Sequence, residues 1–160
     1  MELSIRPAGE GDLEWIVAKE ADPHFSPFIW SNSVEEHRKQ LTDPQVDLMI
    51  YQVAGAPAGF LLGLMGNYRV YELRRLALAR DYQGRGLGEA ALILALKRAF
   101  EERDAHRLWL DVYEYNQRAI ALYRKYLIHE GILRHSDKRG DKYANQWIFS
   151  ILEDEYRRLF

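Results

Sequence analysis

Leu76-Ala77-Leu78-Ala79-Arg80-Asp81-Tyr82-Gln83-Gly84-Arg85-Gly86-Leu87-Gly88-Glu89-Ala90-Ala91 is the stretch on which the reading of this chain turns. An apolar strand runs into a turn with glycine at alternate positions, and the turn opens a helix whose stripe continues through Leu94, Ala95 and Ala99. Glycines let main chain approach a bulky anion, and the first amides of a helix are unpaired and lie at the positive end of its dipole. Such a turn is a cradle for phosphate. A tight connection packed against a sheet is the competing reading of the same residues. The spacing of Gly84, Gly86 and Gly88 is not that of a dinucleotide fingerprint, and no Gly-Lys-Ser/Thr follows, so a nucleoside-triphosphate loop is excluded.

Working outward, Val70 to Leu78 reads as the strand before the cradle, and Leu48–Val53 with Ala58–Leu64 reads as a hairpin turning at Gly55-Ala56-Pro57. Upstream, Leu3 and Ile5 alternate in a short edge strand stopped by Pro7. A helix capped by Asp12 carries Leu13, Ile16 and Val17 and stops near Asp22-Pro23. Pro23-His24-Phe25-Ser26-Pro27-Phe28-Ile29-Trp30 reads as an ordered aromatic loop, and Ser33 with Glu36 forms a capping box for a helix over Val34 to Leu41. Downstream, the cradle helix runs from Leu87 to Glu102 and a buried-type strand covers Arg107 to Val112. Asn116 caps a helix bearing Ala119, Ile120, Tyr123 and Leu127, and Trp147 to Leu152 makes a late strand. Helices first, antiparallel strands next, then alternating strand and helix argue for an α+β fold with a mixed sheet, in one domain spanning 1–160.

The 160 residues carry a formal net charge of -2 with both signs mixed, which gives no broad electrostatic reason to bind nucleic acid or an anionic membrane. No apolar run reaches the roughly 20 residues of a bilayer span. Zero cysteines exclude a disulfide framework, a zinc-cysteine site and a cysteine nucleophile, and fit a reducing, cytoplasmic setting. The five histidines fall at no metal-ligand spacing, so no metal is expected, and no Gly-x-Ser-x-Gly elbow supports serine hydrolysis.

Gln83-Gly84-Arg85-Gly86-Leu87-Gly88 resembles the Gln/Arg-x-x-Gly-x-Gly/Ala signature of the GNAT superfamily of N-acetyltransferases, which grips the pyrophosphate of acetyl-coenzyme A. Asn116-Gln117-Arg118-Ala119-Ile120-Ala121-Leu122-Tyr123 resembles that family's second signature, Asn-x-x-Ala-x-x-x-Tyr, and follows a strand as the family requires. The resemblance implies a central mixed, mostly antiparallel, splayed sheet of roughly six to seven strands flanked by about four helices. It implies pyrophosphate contacts from the amides of Gln83, Gly84, Arg85, Gly86, Leu87 and Gly88, with Glu89 next. Leu76, Ala77 and Leu78 would hold the pantetheine arm, and Asn116, Ala119 and Tyr123 would also touch the coenzyme.

For catalysis the resemblance places Tyr123 near the coenzyme sulfur, where a phenol of pKa around 10 can protonate a departing thiolate. It places Glu72 as the base, with Glu114 and Asp111 as alternatives, and an oxyanion donor among the amides near Leu76. The aromatic loop with Phe25, Phe28 and Trp30, together with Glu114, would border the acceptor groove. The tail from Gly131 to Tyr156 resembles the branch that acetylates ribosomal-protein N-termini and polyamines. The chain departs from the family after Tyr123, where Arg124-Lys125-Tyr126-Leu127-Ile128 stands in place of a segment ending in Gly-Phe; that glycine ends the helix with positive φ in relatives. The expected activity is acetyl transfer to a primary amine of a small molecule or protein by direct attack in a ternary complex. The alternative is a non-catalytic acetyl-coenzyme A sensor or protein-interaction module. A homodimer, through a sheet edge or the C-terminal Tyr156-Arg157-Arg158-Leu159-Phe160, is compatible with either.

Overall fold

The computed structural model describes residues 1–160 and holds one seven-stranded sheet and five α-helices. β1 (Leu3–Pro7), β2 (Val46–Val53), β3 (Ala56–Met65) and β4 (Val70–Leu78) form an antiparallel meander. β5 (Arg107–Tyr113) joins β4 in parallel, and β6 (Ile128–Arg139) and β7 (Lys142–Leu152) form a hairpin that pairs with β5 through β7. The strand order is β1-β2-β3-β4-β5-β7-β6.

The inner strands read as continuous apolar runs because both faces of the sheet are covered. Leu48 and Ile50 of β2 and Phe60 and Leu62 of β3 face α1 (Leu13–Glu20), where they bury Leu13 and Ile16. Met49, Tyr51 and Leu61 point the other way, toward Ala91, Leu92, Ala95 and Leu96 of α3 (Leu87–Lys97). Tyr156 of α5 (Glu153–Leu159) stacks on Phe100 at 4.8 Å and closes that second layer.

The sheet divides where β4 meets β5. Only Val70–Glu72 pair with Arg107–Trp109, so from Leu73 onward β4 and β5 diverge. The register against β3 also slips here, from Leu62 opposite Arg75 to Gly63 opposite Leu73, which leaves Arg74 as the extra residue of a bulge. A bulge increases local twist and bends its strand, and this one lies at the start of the divergence.

Two expectations are corrected. Asp12 does not cap α1: its carboxylate accepts from Arg6 at 2.8 and 2.9 Å and from the Gly9 amide at 2.8 Å, and the chain enters the helix through a 3-10 turn, Glu10–Asp12. The helix capped by Asn116, α4 (Gln117–Tyr123), stops at Tyr123 rather than reaching Leu127. The amides of Tyr126 and Leu127 fold back onto the Tyr123 carbonyl, and the buried Leu127 leads straight into β6, so no left-handed residue replaces the missing glycine. β6 and α5 add to the elements read individually from the sequence, and the mixed, mostly antiparallel sheet of seven strands flanked by helices agrees with the expected fold. α2 (Val34–Thr42) carries the Ser33/Glu36 capping box as read.

Candidate active site

The divergence of β4 and β5 opens a cleft of about 780 Å³. One wall is the released part of β4, with Leu76, Ala77 and Leu78. The opposite wall is the end of β5, with Asp111, Val112 and Tyr113, and the start of α4, with Asn116, Ala119 and Tyr123. At one end lie Gln83, Gly84, Gly86, Gly88 and Glu89; at the other lie Glu72 and the loop residues Phe25, Phe28 and Trp30.

The glycine turn is built to present amides. Gly84 (φ 72°) and Gly86 (φ 75°) both adopt the left-handed conformation, and a Cβ at either would meet nothing within 4 Å, so conformation rather than space demands glycine there. The amides of Gly84, Arg85 and Gly86 donate to no group of the chain. Those of Leu87, Gly88 and Glu89 have no preceding helical turn to donate to, and Ala90 is the first to reach back, to the Gly86 carbonyl at 3.5 Å. Gln83 differs from the expectation: its amide donates to Arg80 at 3.2 Å, and its side chain donates to the Leu78 carbonyl at 2.9 Å and accepts from Arg118 at 3.3 Å. Leu87 contributes its amide only, since its side chain is buried in the core. The Arg85 side chain is exposed outside the cleft and pairs with no acid. The Glu89 carboxylate accepts from Tyr126 and from Lys125 at 3.1 Å; these partners hold it below the usual glutamate range.

Asn116 caps α4, with its side chain accepting from the Ala119 amide at 3.3 Å. This cap starts the helix at the rim of the cleft, and one face later Tyr123 lines the wall, its ring tilted against Phe149 at 5.9 Å. The hydroxyl makes no hydrogen bond within the chain. Burial, with a smaller contribution from the Asp111 carboxylate, pushes its pKa up to about 12.

Four carboxylates line the cleft, and they differ in what holds them. Glu72 is paired with Arg74 at 2.9 Å, and Glu89 with Lys125 and Tyr126. Asp137 accepts from Trp30 Nε1 at 2.9 Å and from the Tyr113 hydroxyl. Asp111 has no hydrogen-bonding or ion-pair partner. Its carboxyl opens to the cleft, yet enclosure by the walls and the charges of Glu72 and Asp137 raise its pKa, with Arg74 opposing them weakly. Glu114 faces elsewhere: it lines a separate cavity of about 600 Å³ and accepts from Trp147 Nε1 at 3.0 Å and Asn145 at 3.3 Å, which lower its pKa.

The loop at the far end is ordered by its aromatics. Phe25 is buried beside Leu13 and Ile16, Phe28 lies 5.8 Å from Tyr115, and the Arg139 guanidinium sits 3.8 Å over the Trp30 ring. Asp137, Arg139 and Tyr113 could not be nominated from the sequence, because their partners lie on distant segments and no local pattern marks them. No group of three or more His, Asp or Glu is placed to hold a metal ion, and no helix is long and apolar enough to cross a membrane.

A divided sheet with unspent turn amides at one end of its cleft and a tyrosine on its wall suits a protein that binds a diphosphate-bearing cosubstrate alongside a second reactant. Residues 13–127 match the acetyltransferase (GNAT) family. The chain is 31% identical over 164 residues to the spermidine N(1)-acetyltransferase of Escherichia coli, covering 96% of this chain and 88% of that protein. It is 32% identical over 106 residues to an uncharacterized N-acetyltransferase of Mycobacterium tuberculosis, covering 66% of this chain and 67% of that protein. Its fold is similar to that of a spermidine N-acetyltransferase from Vibrio cholerae solved in complex with CoA and spermine, with a TM-score of 0.89, 21% identity and coverage of 97% of this chain and 98% of that one. A dodecameric structure of the Vibrio cholerae enzyme gives a TM-score of 0.84 at 23% identity, covering 96% and 95%. The chain belongs to the acetyltransferase (GNAT) family. It is an N-acetyltransferase that moves acetyl from acetyl-coenzyme A to an amine, and nothing in these likenesses favours the non-catalytic alternative.

Proposed function

We propose that the acceptor is an aliphatic polyamine and that the cleft brings its amine to the acetyl group of the coenzyme directly, with no acyl-enzyme. The observation that carries this reading is the gathering of Asp111, Asp137 and Glu72 with the rings of Trp30, Phe28 and Tyr113 at the acceptor end. Carboxylates attract ammonium groups, and aromatic faces accommodate both methylene chains and cations. The relatives named for spermidine acetylation support the same chemistry.

In this reading the amides of Gly84 to Glu89 hold the diphosphate, and the released edge of β4 from Leu76 to Leu78 holds the pantetheine arm. The oxyanion that forms on the acetyl carbonyl takes an amide of the same strand. Asp111, in preference to Glu72, accepts the proton that the ammonium must lose, directly or through water: it is unpartnered, whereas Glu72 is held by Arg74. Nitrogen attacks the carbonyl carbon, the carbon–sulfur bond breaks, the thiolate takes the Tyr123 hydroxyl proton, and the second proton lost by the nitrogen passes through water to restore the phenol. A phenol kept neutral by burial is suited to that step. The chain acts as one domain, and the exposed outer strand β6 suits pairing with a second copy.

Thiol release from acetyl-coenzyme A, measured with spermidine, spermine, butylamine and a peptide carrying a free N-terminus, tests the acceptor. The polyamines are expected to give the highest kcat/KM; a peptide that outperforms them would overturn the polyamine reading and leave the acetyltransferase itself standing.

A further inference from the structure

Residues 23–30 do more than wall the acceptor end: they bridge the divided sheet. On the β5 side the segment is held by Trp30 donating to Asp137 at 2.9 Å, by Arg139 donating to the Ser26 carbonyl at 2.9 Å, and by Tyr115 donating to the Pro27 carbonyl. On the β4 side it is held by His24, whose Nε2 lies 2.6 Å from Oε1 of Gln83, the residue that leads into the glycine turn. The Gln83 carboxamide is oriented by its donation to the Leu78 carbonyl, so its oxygen faces His24 and Arg118 and can only accept. His24 must therefore carry its hydrogen on Nε2.

We infer that His24 is a positioning residue that couples seating of the coenzyme in the glycine turn to closure of the segment 23–30 over the acceptor. Gln83 is tied at once to β4, α4 and this segment, and the unspent amides begin at the very next residue. A diphosphate that orders the turn also fixes Gln83, and Gln83 fixes His24. By linkage, closure of the segment on an acceptor tightens the coenzyme by the same factor. The inference rests on the proposed placement of the diphosphate at Gly84 to Glu89.

The test is calorimetric binding of coenzyme A, with and without saturating spermidine, to the wild-type protein, His24→Ala and His24→Gln, with melting temperatures as a check on folding. The wild type is expected to bind coenzyme A more tightly when spermidine is present. His24→Ala should weaken coenzyme A by about three- to tenfold, the worth of one hydrogen bond, and abolish the effect of spermidine. His24→Gln, whose amide can donate to Gln83, should recover most of both. A wild type that binds no coenzyme A overturns the placement of the diphosphate and this inference with it. A wild type that binds, with an unchanged affinity and spermidine effect in His24→Ala, overturns the coupling alone, as does a folded His24→Gln as defective as the alanine variant.

Discussion

Among the four carboxylates of the cleft, Asp111 is the one whose environment opposes ionisation with no cation or donor in contact to compensate, and this has two measurable consequences. Its folded-state pKa lies above the ordinary aspartate value, so folding favours the protonated form. The stabilisation this gives is fully present below the unfolded pKa and is lost as pH rises through the folded pKa. At neutral pH the ionised group is a burden. Asp111→Asn should therefore raise the melting temperature at pH 7 by ~1–2 °C, and by less below the usual aspartate range. The same variant should lose roughly a hundredfold or more in kcat, because in the proposed mechanism the amine proton then has no acceptor, while Glu72→Gln should lose less. An Asp111→Asn enzyme of near wild-type kcat would transfer the role to Glu72. Tyr123 answers a different question. Tyr123→Phe should lower kcat by roughly 100-fold or more with little change in coenzyme affinity, since in the proposed mechanism the lost group acts on the departing thiolate. With its pKa up at about 12, Tyr123 stays protonated across the working range, so no alkaline fall in kcat below about pH 10 should vanish in the phenylalanine variant.

Among the elements, α3 depends most sharply on individual residues. Gly86 is left-handed at the helix start, whereas a Cβ on Gly88 would make only an ordinary contact, 3.8 Å from Leu122. Gly86→Ala should cost about 1 kcal/mol of stability and weaken coenzyme A binding, because strain is relieved only by turning the amides away. Gly88→Ala should leave stability within about 0.5 kcal/mol, as an unstrained surface change does; equal losses in chemical denaturation would refute the distinction. This helix and the strand before it were legible because their information is local: the apolar run Val70–Leu78, the alternate glycines, and Asn116 or Ser33 at a cap. β6 was not legible. As an outer strand it alternates no buried face, and its residues are almost all exposed, so burial leaves no period to read. α5 is short and charged apart from Tyr156 and Leu159, too brief for a stripe. The turn amides could be assigned by chemistry, but Gln83 could not be separated from them, because its partners His24, Leu78 and Arg118 meet only in the folded chain.

At the scale of the whole molecule, the two edges of the sheet are unequal. β1 ends one side with five residues, while β6 ends the other with twelve and exposes Ile128, Ile132 and Leu133. A long outer strand with an unpaired row of main-chain groups and apolar side chains is a template for pairing, unless charges or irregularities blunt it. Two register slips interrupt β6, between His129 and Gly131 and between Leu133 and Asp137, and Glu130 is already neutralised by Arg107 at 2.6 Å. The central stretch therefore presents Gly131, Ile132 and Leu133 with little charge to repel a second copy. Light scattering of the eluting protein at micromolar concentration should give a mass of at least twice 18.8 kDa. Ile132→Lys, which buries no new charge in the monomer, should reduce that mass while leaving coenzyme A binding intact, because Ile132 does not line the cleft. A wild type that runs as a monomer would mean that the two slips are enough to protect the edge, and that the active site is complete in one copy.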